Sequence, residues 1–268
     1  MDTKITELFS LIKNAKHCVA LTGAGVSTLS GIRDFRGKNG LYKEMDAEKI
    51  FDINYFYRDP SFYYSHSKDF IYGLEQKEPS VVHTVLGKLE ACGFLKSLIT
   101  QNIDLLHTKG GNKKVIEIHG SPQAHYCPKC QNSSKAEEAI LAGSVKENGF
   151  MEFDEAAAIV QNGEMPRCKK CNGVLKPAIT FFGENLPVHA LTAAERESAA
   201  ADLMLVLGTS LTVFPAAGLP QVTLRSGGKI AIINNMETPM DRYAVLRFDE
   251  LEPVFSGIDS LLERSDNL

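Results

Sequence analysis

The chain has 268 residues, 44% hydrophobic and 23% charged, the proportions of an ordinary globular protein. A formal net charge of −4 argues against binding nucleic acid through a broad basic surface. No apolar run approaches the roughly 18 residues of a membrane span and the first residues lack a signal-peptide pattern, so a cytoplasmic protein is expected, in which six cysteines need a reason other than disulfides.

Ile5, Leu8, Phe9 and Ile12 recur at helical spacing and predict a first helix. The apolar run Val19–Thr22 then reads as a strand that feeds Gly23-Ala24-Gly25. Glycines let backbone N–H groups approach phosphate oxygens, although a plain strand-to-helix turn would give the same pattern. Residues 41–75 carry a run of aromatics from Tyr55 to Tyr72 among charges and predict a small helical insertion. Ser80 is placed to cap a helix with Val82, Val85, Leu86 and Leu89 as its buried stripe. Strands are predicted at Leu98–Thr100 and Val115–Ile118.

Residues 121–179 hold two cysteine pairs, Cys127/Cys130 and Cys168/Cys171, with 37 residues between them. Each C-x-x-C closes a knuckle that aims two thiolates at one point, and two knuckles supply the four sulfurs of a tetrahedral zinc site. With no position left for water, such a zinc is structural. A redox C-x-x-C is the competing reading, but it comes singly and beside a thioredoxin-like pattern. Further strands are predicted at Leu203–Leu207 and Lys229–Ile233, with a helix at 213–225 ended by Gly227 and Gly228. Leu251, Val254, Phe255, Ile258, Leu261 and Leu262 share one face of a last helix.

Near-continuous apolar strands alternating with helices predict an α/β fold: a parallel sheet covered by helices on both faces, with a smaller lobe built from the two insertions. Polar residues follow four of the strands, in "GAGVST", "TQNIDLLH", "EIHG" and "GTSL". Ligands of parallel sheets sit at the carboxyl ends of strands, so these stretches are expected to line one crevice. Taken singly, His119 could be a satisfied core histidine, Asp34 and Asp104 helix caps, and Arg36 a surface residue. At a strand end and before a glycine, His119 also suits a general base, because an imidazole accepts a proton near neutrality.

The stretches "GAGVSTLSGIRDFRG", "TQNID" with "LH" after it, "HG", the two C-x-x-C pairs, "FFGE" and "GTSL", in this order and spacing, resemble the sirtuin family of NAD-dependent protein deacylases, and bacterial members in particular. The resemblance covers about residues 5–260. It implies a Rossmann-like NAD-binding domain made of residues 1–40, 76–120 and 180–268, a helical module at 41–75 and a zinc-binding module at 121–179. It implies that Ala24, Gly25, Thr28, Asp34, Phe35 and Arg36 close over NAD, and that Gln101, Asn102, Ile103 and Asp104 lie near the nicotinamide and its ribose. Gly208, Thr209 and Ser210 would meet phosphates or the adenosine ribose, and Asn234 and Asn235 the adenosine side. Thr180, Phe182, Gly183, Glu184 and Val213 would line the channel for acyl-lysine and its peptide, and Cys127, Cys130, Cys168 and Cys171 would hold one structural zinc.

The implied reaction is deacetylation of protein lysine. The acetyl-lysine amide oxygen attacks the anomeric carbon of NAD as nicotinamide leaves, Asn102 helps hold the reacting atoms in line, and His119 takes a proton from the ribose hydroxyls. Protein ADP-ribosyl transfer and NAD sensing without turnover are the alternatives. Acetylated proteins or peptides are the expected partners, without nucleic acid or membrane. The family pattern is broken in four places: Arg33 stands where proline is usual, Leu105 where glycine or a polar residue is, Thr180 where an aliphatic is, and Asn235-Met236 alter the stretch after Asn234. The region of Tyr63, Tyr64, His66 and Lys68 lacks a tyrosine–arginine pair for an acidic acyl chain, so neutral acyl groups are expected.

Overall fold

The computed structural model describes residues 3–34, 40, 47–131 and 133–266. Its contacts divide the chain into two compact units, one of residues 1–39, 78–118 and 192–268 and one of residues 40–77 and 119–191. The described residues form nine strands: β1 (Cys18–Thr22), β2 (Leu95–Thr100), β3 (Val115–Glu117), β4 (Gly120–Tyr126), β5 (Met151–Glu152), β6 (Lys176–Ile179), β7 (Leu203–Leu207), β8 (Lys229–Ile233) and β9 (Ala244–Phe248).

In the first unit six parallel strands lie in the order β3-β2-β1-β7-β8-β9. This is the doubly wound arrangement, with the order reversing between β1 and β7. Side chains alternate across a strand, so each apolar strand feeds two cores. Cys18, Ala20, Leu98, Leu205 and Ala231 pack on one face with Leu8 and Ile12 of the helix Thr3–Asn14, Leu86 and Leu89 of the helix Val81–Ala91, and Phe255 and Ile258 of the helix Leu251–Asp266. Val19, Leu21, Ile99, Val206 and Ile232 pack on the other face with Leu219 and Ala216. Both faces are therefore covered, as the apolar runs require.

Two details differ from the sequence reading. The helix expected over 213–225 is a short 3-10 turn, Ala216–Gly218, followed by the α-helix Leu219–Arg225. Pro215 and Pro220 lack the N–H that an interior helical position must donate; Pro220 is accommodated in the first turn of the α-helix, where that donor is not needed, so the helix starts late. β9 is an additional edge strand. Its pattern of half-buried and exposed residues carries little of the hydrophobic signal that marks the central strands.

The second unit is built around an antiparallel sheet, β5-β4-β6. Phe51, Phe56, Tyr63, Tyr64 and Tyr72 are buried in its interior, while Tyr57 is exposed. Tyr63, Phe56 and Phe51 make edge or tilted contacts with Phe181 at 5.1, 5.5 and 5.7 Å between ring centres. The Tyr64 hydroxyl donates to the Leu175 carbonyl at 2.7 Å, tying the helix Pro60–Ser67 to the chain just before β6. Asp52 caps the helix Ile53–Arg58 by accepting from the Tyr55 N–H at 2.6 Å. No helix among the described residues is long and apolar enough to cross a membrane.

Candidate active site

The carboxyl ends of the central strands are level, since Thr22 pairs in register with both Thr100 and Leu207, and Leu207 with Ile233. The glycine turn therefore leaves β1 at the point where strand order reverses, the place where open α/β sheets hold ligands. It is fastened to β7: the Gly23 N–H donates to the Leu207 carbonyl at 3.0 Å and the Gly25 N–H to the Gly208 carbonyl at 2.9 Å. The backbones touch. A Cβ on Gly25 would lie 2.7 Å from the Gly208 Cα, and Gly208 itself has φ 57°, in the left-handed region. The turn continues as the 3-10 helix Ala24–Ser30, in which the Thr28 hydroxyl donates to the Gly25 carbonyl at 2.8 Å.

Beneath the turn lies a buried polar network. Thr22 and Thr100 end β1 and β2, and their hydroxyls are 2.8 Å apart. The Thr100 hydroxyl accepts from the Asn102 N–H at 3.0 Å. The Asn102 carboxamide nitrogen donates to the Gly23 carbonyl and to the Ser27 hydroxyl, both at 3.1 Å. Ser27 in turn donates to Asp104 at 2.6 Å, and the other carboxylate oxygen of Asp104 accepts from the Leu106 N–H at 3.0 Å. His107 meets the Thr22 hydroxyl at 2.9 Å, and its ring centre is 4.6 Å from that of His83. His83 is fixed by Ser80, whose hydroxyl is 2.8 Å from Nδ1.

This network holds Asn102 against the glycine turn from two directions. Burial raises the pKa of Asp104, opposed by its hydrogen bonds from Ser27 and Leu106. Burial lowers His83 to about 4, and burial together with His83 holds His107 well below the ordinary range. Both imidazoles are therefore neutral near pH 7, which lets the two tilted rings lie side by side without repulsion in a dry place.

Other proposed ligand-binding positions sit on the same edge. Gln101 donates through its carboxamide to the Thr209 hydroxyl at 2.9 Å, spanning from the end of β2 to the end of β7. Asn234 follows β8, and its carboxamide donates to the Met236 carbonyl at 2.8 Å, while Asn235 is exposed. Ser210 and Thr212 hydroxyls are 2.9 Å apart. Ala24, Gly25, Asp34, Ile103 and Val213 are half-buried and Thr28 is exposed. Phe35 and Arg36 lie outside the described residues. Leu105 adopts φ 62° and Leu211 φ 52°, both left-handed. The glycine or polar residue usual at the first of these positions suits that backbone, and leucine occupies it at a cost of about 1–2 kcal/mol.

His119 and the stretch Thr180–Glu184 belong to the second unit. The His119 carbonyl accepts from the Thr180 N–H at 2.8 Å. The Phe182 backbone is clamped between the Phe51 carbonyl at 2.7 Å and the Ile53 N–H at 3.1 Å, while its side chain is 42% exposed. Tyr63 and Tyr64 are buried among the aromatics, so neither presents a face to a ligand.

The four cysteine sulfurs lie within 4.8 Å of one another. Zinc–sulfur bonds of about 2.3 Å in a tetrahedron need sulfurs about 3.8 Å apart, so the cluster fits the ion. Each knuckle is closed by its backbone: the Gln131 N–H donates to the Cys127 carbonyl at 2.8 Å, and the Cys168 N–H to the Gly173 carbonyl at 2.8 Å. N–H groups of Cys171 and Lys170 also lower the Cys168 thiol, favouring the thiolate that a metal binds.

A family model described as the Sir2 family matches residues 23–215. The chain belongs to the Sir2 family. An NAD-dependent protein deacetylase of Thermotoga maritima is 43% identical over 92% of this chain and 93% of its own length. One from Sulfolobus acidocaldarius is 38% identical over 94% of each. A solved Sir2 structure with a p53 peptide and NAD+ superposes with a TM-score of 0.82 at 38% identity, covering 99% of this chain and 100% of that one. A Sir2 complex with deacetylated p53 peptide and 3'-O-acetyl ADP-ribose gives 0.84 at 40% identity and 98% coverage of both. At the ends of β1 and β7 of this Sir2 chain, the Gly23–Gly25 turn and Gly208 approach so closely that neither backbone has room for a Cβ atom.

Thr22 and His83 were not singled out in the sequence as parts of the site, and Ser27 and Thr100, although inside stretches expected to line the crevice, were given no role of their own. The available signal was small polar residues ending otherwise apolar strands, and a histidine inside the apolar stripe of a helix.

Proposed function

We propose that this protein is an NAD-dependent protein lysine deacetylase, which transfers the acetyl group of acetyl-lysine to ADP-ribose with release of nicotinamide. The observation that carries this is the Asn102 carboxamide, held by Gly23 and Ser27 against a glycine turn at the sheet's switch point. The full-length likeness to NAD-dependent protein deacetylases supports it.

NAD bound here supplies an anomeric carbon whose bond to nicotinamide can be exchanged for one to an acyl oxygen. The chain's part is placement. Ala24, Gly25, Thr28 and Asp34, with Phe35 and Arg36, form the loop over the nicotinamide ribose. Gln101, Asn102, Ile103 and Asp104 orient that end, and the buried network makes Asn102 a rigid reference, so that the reacting atoms are held in line. Gly208, Thr209, Ser210, Asn234 and Asn235 take the phosphate and adenosine side. His119 is the general base, and Thr180, Phe182, Gly183, Glu184 and Val213 receive the acyl-lysine and its peptide. The division of labour is an NAD-binding domain of 1–40, 76–120 and 180–268 with the helical and zinc modules between, in a cytoplasmic enzyme; this functional division differs from the compact units, since 119–120 and 180–191 pack with the second unit. Cys127, Cys130, Cys168 and Cys171 hold a zinc that braces the second unit and takes no part in the reaction, since four thiolates leave no open position.

The test is nicotinamide release measured with NAD alone and with an acetylated peptide. Release that requires the peptide, and that is lost in His119→Ala while NAD still binds, supports the reading. NAD binding without release, or ADP-ribose appearing on the target protein, would replace it.

A further inference from the structure

Lys176 opens β6, and its side chain is only 1% exposed. Its ammonium donates to the Ile179 carbonyl at 2.7 Å and to the Pro177 carbonyl at 3.3 Å, and lies 2.8 Å from Oε2 of Glu184. That same Glu184 oxygen accepts from the Phe181 N–H at 2.8 Å, and the Glu184 N–H donates to the Phe181 carbonyl at 3.0 Å. The Phe181 ring sits 4.1 Å from the ammonium, and the Tyr126 ring of β4 closes the other side at 5.7 Å. The chain leaves β6 at Ile179, runs out through Thr180, Phe182 and Gly183, and returns at Glu184. One cation thus grips this excursion at both ends of its base.

A buried ion pair is a poor source of net stability, because removing both charges from water costs about as much as their attraction returns. What such a pair does supply is a fixed geometry. The hydrophobic contacts at Phe181 would hold the base together without any charge, whereas only a donor at Nζ ties the Ile179 carbonyl to the Glu184 carboxylate.

We propose that Lys176 is a positioning residue for the acyl-peptide, setting the shape of Thr180–Glu184 through Glu184. This rests on the reading of that stretch as the peptide channel. The Lys176 ammonium is present at neutral pH and is lost in alkali: burial, opposed by Glu184, lowers it to about 8. The other titratable groups facing the pair do not ionise in that range. Tyr126, and Tyr57 from the helix Ile53–Arg58, are raised by burial and by Glu184, and His125 of β4 is kept neutral by burial, at about 3.

The experiment is steady-state nicotinamide release with acetylated peptide and NAD varied separately, alongside thermal melting. Lys176→Met is expected to raise the peptide KM about tenfold, the worth of a hydrogen bond to a charged group, with the NAD KM unchanged. In the wild type the peptide KM should climb as pH passes about 8. Lys176→Arg, which stays charged, should restore the neutral-pH value and flatten the alkaline rise. Should Lys176→Met fold poorly, Glu184→Gln decides, since removing the carboxylate should move the alkaline rise to lower pH. An unchanged peptide KM in a folded Lys176→Met, an alkaline rise identical in Lys176→Arg, or an unmoved rise in Glu184→Gln would overturn the proposal. A wild type whose nicotinamide release ignores the acetylated peptide would instead defeat the functional reading beneath it.

Discussion

Gly25→Ala probes the cradle directly. The new Cβ would stand 2.7 Å from the Gly208 Cα and 2.9 Å from its carbonyl oxygen, where ordinary contact begins at 3.4 Å. Both neighbours are backbone, and Gly208 is itself tied to β8 by its N–H on the Ile233 carbonyl at 2.9 Å. The relief must therefore come from the turn, which has to back away by about 0.7 Å and stretch its Gly25–Gly208 hydrogen bond beyond bonding distance. Overpacking of this kind costs about 1–3 kcal/mol, or roughly 2–12 °C in melting temperature for a chain of this size. If the turn holds NAD, a displacement approaching 1 Å also lowers kcat/KM for NAD by a factor on the order of 100. Nicotinamide release at saturating acetylated peptide, with NAD varied, reads this out. A variant that melts earlier yet keeps the wild-type kcat/KM for NAD would refute the placement of NAD on this turn.

Ser27→Ala removes the hydroxyl between Asn102 and Asp104 and leaves a buried carboxylate short of a donor, so stability should fall by about 1–3 kcal/mol and kcat/KM with it, while urea unfolding measures the first part separately. Chelation should unfold the second unit, seen as lost ellipticity and activity that added zinc restores, and substitution of the cysteines should give the same loss without rescue by zinc; a melting curve indifferent to chelator would contradict a structural zinc. Acid should also destabilise the fold. His83 is lowered to about 4 when folded and returns to its ordinary value when unfolded, so the unfolded chain binds more protons between those values. Stability is then fully present above about pH 6.5 and lost as pH falls toward 4, by about 3 kcal/mol at most for this residue. His83→Gln should flatten that part of the melting-temperature profile, and an unaltered profile would show that His83 is not the group responsible.

The sheet was legible because its strands are buried on both faces and spell continuous apolar runs, as in "LMLVL" and "CVALT". β9 was harder to read, since an edge strand with half-exposed positions loses that signal. The glycine turn, the "TQNID" stretch and the cysteine pairs were legible because each chemistry needs its residue types at close spacing. The supporting network was not. Ser27, Thr100 and His107 lay inside stretches expected to line the crevice, but their bonding to one another and to Thr22 and His83 appears only when the fold brings the segments together. Lys176, five residues beyond a cysteine knuckle, carries no pattern in the sequence that sets it apart from other lysines; only the fold shows it buried.

The most direct measurement is a mass spectrum of the products formed from NAD and an acetylated peptide. The account predicts deacetylated peptide, nicotinamide and O-acetyl-ADP-ribose in equal amounts. Acetate with free ADP-ribose from the first turnover, or ADP-ribose attached to protein with the peptide still acetylated, would contradict it.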